Sequence, residues 1–259
     1  MVRSPRTRFG RALFFAAAIL LMAVRPPASA AEVTAAVAAN FTAPAKEIAA
    51  VFKTQTGYTV DLSFGATGQL YTQITQGAPF DILLSADSAR AQKAEKEGWG
   101  VAGSRFTYAI GKLALWSADA ALVDKDGAVL KQNKFTHIAI ANPTAAPYGA
   151  AAVETLKALG LDKDVEKKIV TGENINQTFQ FVATGNAELG FVALSQVIEQ
   201  GKGSSWMVPE NLYSPILQDA VLLKPGEQNT FAKAFLTFLK GPDAVKIIQR
   251  YGYVVPSGT

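Results

Sequence analysis

From residue 32 onward, short apolar runs alternate with longer amphipathic ones, and that alternation narrows the possible folds more than any other feature of the chain. Residues 33–38 read as a strand, and 45–56 as a helix with Ile48, Val51 and Phe52 on one face. A strand over 58–64, a helix over 69–76, a buried strand over 81–85 and a helix over 88–98 follow. The middle of the chain repeats the pattern, with strands at 137–141, 168–171 and 189–193 and helices at 149–159, 177–184 and 194–200. Strand, helix, strand in regular succession is the signature of a parallel sheet covered by helices.

Two longer strand-like runs, 106–116 and 216–223, bracket the middle unit, and two helices at 229–239 and 243–251 close the chain, separated by Gly241-Pro242. An α/β unit inserted between two extended segments predicts two lobes joined by two crossings. The boundaries fall at residues 31–112 with 217–259 for the first lobe and 113–216 for the second. Such a chain can close on a ligand by bending at its crossings. Asp124-Lys125-Asp126-Gly127 reads as a surface turn.

The first 30 residues stand apart. Arg3, Arg6, Arg8 and Arg11 precede an apolar run over 12–24, followed by Pro26-Pro27 and Ala28-Ser29-Ala30. Basic, apolar and small-residue segments in that order predict an export leader. The run is shorter than the roughly 20 residues of a membrane span. Five of the chain's 25 basic residues lie in the leader and none of its 21 acids does, so residues 31–259 are nearly neutral. The basic balance of the whole chain therefore argues for neither nucleic acid nor acidic lipid as a partner. There are no cysteines, which excludes disulfides, thiolate metal sites and a cysteine nucleophile.

Two strand-to-helix junctions carry small and polar residues: Ala38-Ala39-Asn40-Phe41 and Ser63-Phe64-Gly65-Ala66-Thr67-Gly68. Helix starts leave backbone N–H groups without intrahelical partners, and those groups suit a small anion. Asn40 also fits an ordinary N-cap, and Thr67 a capping residue in a turn. Adjacent βα units bring such junctions to one edge of a sheet, where ligands bind in open α/β folds. In the middle unit, Pro147-Tyr148-Gly149 opens a helix after a strand, offering the N–H and phenol of Tyr148, which reads equally as a packing residue. Gly172-Glu173-Asn174-Ile175 holds the corresponding place after the next strand.

Catalytic constellations are missing. The single histidine, His137, begins a predicted strand, and no G-x-S-x-G turn accompanies it. One His and no Cys cannot build a His/Cys metal cluster. Asp81 and Asp87 read as a strand start and a helix cap. Gly111-Lys112 lacks the glycine loop of a phosphate-binding P-loop.

Several segments together carry a resemblance. They are Ala39-Asn40-Phe41, Ser63-Phe64-Gly65-Ala66-Thr67-Gly68, Gly77-Ala78-Pro79-Phe80-Asp81 and Leu84-Ser85-Ala86-Asp87, then Pro147-Tyr148-Gly149, Leu189-Gly190-Phe191-Val192, Lys240-Gly241-Pro242 and Tyr251-Gly252-Tyr253. Across residues 31–256 the chain resembles the periplasmic molybdate-binding proteins of ABC uptake systems. The resemblance implies a two-lobed α/β fold of the type II periplasmic binding class, each lobe a mainly parallel sheet flanked by helices. A tetrahedral oxyanion, molybdate and also tungstate, is expected between the lobes, held by neutral donors with no direct metal ligand and no cofactor. Asn40 and Thr67 fall at the first-lobe positions, Tyr148 and Ile175 at those of the second, Ile175 through its backbone N–H alone. Some relatives carry a tyrosine after the Leu-Gly-Phe-Val strand, where this chain has Ala193, so Tyr148 looks like its substitute. Ala39 stands where part of the family has a hydroxyl and is a possible further contact.

The implied protein is no enzyme. It is expected to be a periplasmic monomer that delivers its ligand to the permease of an ABC transporter, without entering the membrane or binding nucleic acid. Sulfate or another tetrahedral oxyanion is the alternative ligand, and a secreted α/β hydrolase using His137 is the distant alternative.

Overall fold

Ten strands, in the computed structural model that describes residues 1–2, 32–198 and 200–256, form two separate sheets. They are β1 (Val33–Ala38), β2 (Val60–Gly65), β3 (Ile82–Leu84), β4 (Phe106–Gly111), β5 (Leu113–Ser117), β6 (Ile138–Ala141), β7 (Ile169–Gly172), β8 (Leu189–Ala193), β9 (Ser204–Met207) and β10 (Ile216–Leu222). The first sheet has the order β2-β1-β3-β10-β4 and the second β7-β6-β8-β5-β9. The leader expected over residues 1–30 lies outside the described residues, apart from Met1 and Val2.

The sheets are built alike. In the first, β1 pairs in parallel with β2 and β3, and β10 runs antiparallel to β3 and β4. In the second, β6 pairs in parallel with β7 and β8, and β5 runs antiparallel to β8 and β9. Each sheet is therefore mixed: four strands run in one direction, as the mainly parallel sheets expected from the sequence require, and one, β10 or β5, runs against them. The crossing segments supply the reversed strands. The run over 106–116, which reads as one strand, is two: β4 ends at Gly111 in the first sheet and β5 begins at Leu113 in the second. The chain returns between β9 and β10.

Alternation along each strand explains the layers. Val33, Ala35 and Val37 of β1, with Ile82 and Leu84 of β3, pack under one set of helices, while Ala36 and Leu83 face the other set. Strands covered on both faces carry apolar residues at every position, as a parallel sheet requires. On the first face, Phe52 lies edge-on to Phe235 with ring centroids 5.2 Å apart. In the second sheet, Leu113, Leu115, Ile138 and Ile140 join one cluster, and Ala114, Trp116 and Ala139 the opposite one.

The helices are α1 (Thr42–Thr56), α2 (Thr67–Thr75), α3 (Ser88–Lys96), α4 (Val129–Gln132), α5 (Pro147–Ala158), α6 (Asp162–Val165), α7 (Ile175–Ala183), α8 (Leu194–Val197), α9 (Thr230–Leu239) and α10 (Pro242–Arg250). Five of them begin earlier than periodicity places them: α1 by three residues, α2, α5 and α7 by two each, and α10 by one. First turns rich in polar residues, or opened by proline, carry little apolar periodicity, yet proline suits the first helical position. The shift matters, because it puts Thr67, Tyr148 and Ile175 inside first turns. At the far end of α1, Gly57 takes the left-handed conformation (φ +80°) and its N–H closes on the Lys53 carbonyl. Strand β9 and the short α4 and α6 had no clear signal in the sequence.

Candidate ligand-binding site between the lobes

The carboxyl ends of β1, β2, β6 and β7 each lead into a helical turn, and all four turns line one small cavity. β1 passes into a 3-10 turn at Ala39–Phe41, β2 into α2, β6 by way of a loop into α5, and β7 into α7. Asn40, Thr67, Tyr148 and Ile175 come together there from both lobes, with Ala39 beside them, and no charged residue among those described lines the space. It leaves about 10 Å³ for the centre of a water molecule, room for about one water.

The helix starts are prepared for an acceptor. Ala38, Ala66 and Ala146 occupy the N-cap positions and offer no side-chain acceptor. Polar caps occur on neighbouring helices, where Asp87 and Asn229 accept from first-turn N–H groups. Asn174 caps α7 through the N–H groups of Asn176 and Gln177, leaving that of Ile175 outside the cap. Asn40, Thr67, Tyr148 and Ile175 each sit at the first or second position of their turn. Their N–H groups there precede the intrahelical ladder, and the helix dipoles put positive partial charge at the same place.

The side chains differ in what they have left to give. Thr67 Oγ1 accepts from the Ala86 N–H at 3.0 Å, so its own proton remains to be donated. Tyr148 is fully buried and its hydroxyl lacks a partner in hydrogen-bond geometry among the described residues. Burial first, and then the neighbouring Tyr253, hold that phenol well above its ordinary pKa, so it is a neutral donor at any physiological pH. Ala193 belongs to the same apolar cluster as Tyr148 and Ile175.

Asn40 is different. Its amide donates to Gln218 Oε1 and to the Tyr253 hydroxyl, both at 2.9 Å, which uses both amide protons. Only its backbone N–H is left to face a ligand.

Several hydrogen bonds, that of Tyr253 with Ser195 among them, draw the lobes together around the cavity. Gly68 N–H donates to the Ala145 carbonyl at 2.9 Å, and Arg90 Nη2 to the Thr144 carbonyl at 2.6 Å. Asn176 Nδ2 donates to Thr42 Oγ1 at 3.0 Å, and Ser195 Oγ to the Asn40 carbonyl at 2.9 Å. Arg90 is itself paired with Asp87.

A family model described as bacterial extracellular solute-binding protein matches residues 33–254. The chain belongs to that family. This solute-binding protein is 60% identical over 235 residues to the molybdate-binding protein ModA of Rhodobacter capsulatus, covering 91% of this chain and 93% of that one. It is 59% identical over 229 residues to the molybdate-binding protein ModA of Azotobacter vinelandii, covering 87% and 91%. A solved structure of the Azotobacter vinelandii periplasmic molybdate-binding protein superposes with a TM-score of 0.85 at 43% identity, over 87% of this chain and all of that one. The two-lobed α/β architecture is thus that of the periplasmic binding proteins.

Sequence reasoning found the four junctions but missed the residues behind them. Gln218 and Ser195 had no signal. Tyr253 was visible only as part of Tyr251-Gly252-Tyr253, without a role. His137 lies half exposed before the start of β6, 4.0 Å from Glu188. The cavity is at the other end of that four-residue strand, about 13 Å along at the usual rise.

Proposed function

We propose that this chain captures molybdate between its lobes in the periplasm and delivers it to the permease of an ABC transporter. The observation that carries the reading is the convergence of four helix starts, two from each lobe, on one cavity without charged lining. A tetrahedral dianion offers only acceptors, and the four N–H groups with the protons of the Thr67 and Tyr148 hydroxyls supply donors to meet it. Helix N-termini offset its charge without a buried lysine or arginine, and without a carboxylate to repel it. The high identity to proteins named for molybdate binding supports the choice among oxyanions.

In this reading Thr67 donates its hydroxyl and Tyr148 its phenol and N–H, while Asn40 and Ile175 donate backbone N–H groups. Ala39 shapes the wall beside them. Capture draws residues 113–216 onto 31–112 and 217–259 by bending at the two crossings, and the interlobe hydrogen bonds hold the closed form. The molybdenum atom receives no protein ligand. The role is that of a carrier rather than a catalyst, acting as a monomer exported by the segment at residues 1–30.

Calorimetric titration of the mature protein with molybdate, tungstate, sulfate and phosphate tests the proposal. One-to-one binding of molybdate and tungstate, with sulfate and phosphate silent, is the expected result. Preferential binding of sulfate would replace the ligand and keep the site, and silence toward all four would overturn the reading.

A further inference from the structure

Behind the cavity lies a closed ring of hydrogen bonds in which every member is buried. The Asn40 amide donates to the Tyr253 hydroxyl (2.9 Å), that hydroxyl to Ser195 Oγ (3.0 Å), and Ser195 Oγ to the Asn40 carbonyl (2.9 Å). Tyr253 Oη also lies 2.9 Å from the Asn40 carbonyl, and Gln218 takes the second amide proton. The ring starts and ends on one residue, so the Asn40 side chain and backbone are fixed together.

The three partners come from different parts of the molecule. Gln218 lies on the crossing strand β10, beside the register shift between Gln218 and Asp219. Tyr253 lies in the C-terminal segment, whose next residue, Val254, exchanges two backbone hydrogen bonds with Ile110 at the end of the other crossing strand. Ser195 belongs to the second lobe. Both crossings and the opposite lobe thus report to a single residue of the first lobe.

We infer that Tyr253 and Ser195 are positioning residues that make presentation of the Asn40 N–H depend on lobe closure. The inference rests on the oxyanion reading of the cavity. When the second lobe swings away it takes Ser195 with it, and the ring opens. The Asn40 carbonyl then loses Ser195 as its donor, and the Tyr253 hydroxyl loses Ser195 Oγ as its acceptor. The residue facing the ligand is held firmly only in the closed form, so the closed form binds more tightly than the open one. A ligand shifts such an equilibrium only through its differential affinity for the two states. The Tyr251-Gly252-Tyr253 motif gains a purpose that its sequence alone does not reveal.

The test uses Tyr253→Phe and Ser195→Ala in the mature protein, alone, together, and each combined with Asn40→Ala. Affinity for sodium molybdate is read by calorimetry, dissociation by a tungstate chase, and folding by circular dichroism. Each single variant is expected to bind about 5- to 30-fold more weakly, mainly through faster dissociation, as the loss of one buried hydrogen bond dictates. The double variants should be no weaker than the weaker parent, because breaking the ring once removes the coupling. Wild-type affinity in a folded variant, or strictly additive losses, overturns the inference. Should Tyr253→Phe fail to fold, Ser195→Ala decides. If the unmodified protein binds no oxyanion, the functional reading falls and takes this inference with it.

Discussion

The N–H of Gly68, in the first turn of α2, donates across the cleft to the carbonyl of Ala145 at 2.9 Å. A methyl group on Gly68 would stand 3.0 Å from the Ala145 Cα and 3.0 Å from Arg90 Nη2. Backbone on one side leaves little room to give. Gly68→Ala should hold the lobes slightly apart and weaken molybdate binding about tenfold, or ~1.4 kcal/mol. Alanine favours the helix, so thermal stability without ligand should not fall. Calorimetry beside a thermal melt checks both halves, and an unchanged affinity would show that this close approach is dispensable.

Thr67 offers a sharper comparison. Its hydroxyl oxygen is already used by Ala86 and its proton is not. Thr67→Ala should cost about 1–3 kcal/mol of binding, the usual loss for a hydrogen bond to a charged group. Thr67→Ser keeps the hydroxyl and should bind within a few-fold of the unmodified protein. Equal losses in the two variants would place the effect in packing rather than donation.

Arg90 joins the lobes from the rim of the cleft through the Thr144 carbonyl. Arg90→Gln should weaken binding about fivefold, since this partly exposed contact is worth on the order of 1 kcal/mol. The difference from the unmodified protein should appear in the dissociation rate, which governs most affinity changes of this kind. An altered association rate with normal dissociation would instead assign Arg90 to steering the anion.

The buried phenols set an alkaline limit. Burial foremost pushes Tyr253 up to about 12 and Tyr108 and Tyr148 well above the ordinary phenol value. These groups are protonated in the folded state at pH values where the unfolded chain has begun to lose its protons. Their contribution is fully present below about pH 10 and is lost as pH rises toward the folded values. Urea midpoints should stay level from pH 7 to 9 and fall above pH 10. Tyr253→Phe should show a shallower fall, by roughly 2–3 kcal/mol over the full range. An identical slope in the variant would mean that Tyr253 ionises freely.

Much of this architecture was legible because burial leaves a periodic trace. β1, β8 and the helical faces of α1 and α9 follow from apolar spacing alone, and a strand covered on both faces could only read as a continuous run. The break between β4 and β5 left no such trace, since Phe106–Gly111 and Leu113–Ser117 are both apolar and only pairing partners distinguish them. The helix starts were blurred for the opposite reason: Thr67-Gly68, Pro147, and Asn174, Asn176 and Gln177 around Ile175 interrupt the apolar pattern.

Asn40 shows where sequence reading ends. Its type and place at a strand-to-helix junction fitted a side-chain donor, but the amide is taken by Gln218 and Tyr253, which lie 178 and 213 residues away in the chain. The sequence by itself determined the two α/β units and the junctions at Asn40, Thr67 and Tyr148, because local periodicity and turn chemistry act over a few residues, while the place of Ile175 showed only through the family resemblance. Only the tertiary structure decided which donors remain free, since a hydrogen bond depends on ångström distances between groups that no spacing along the chain encodes.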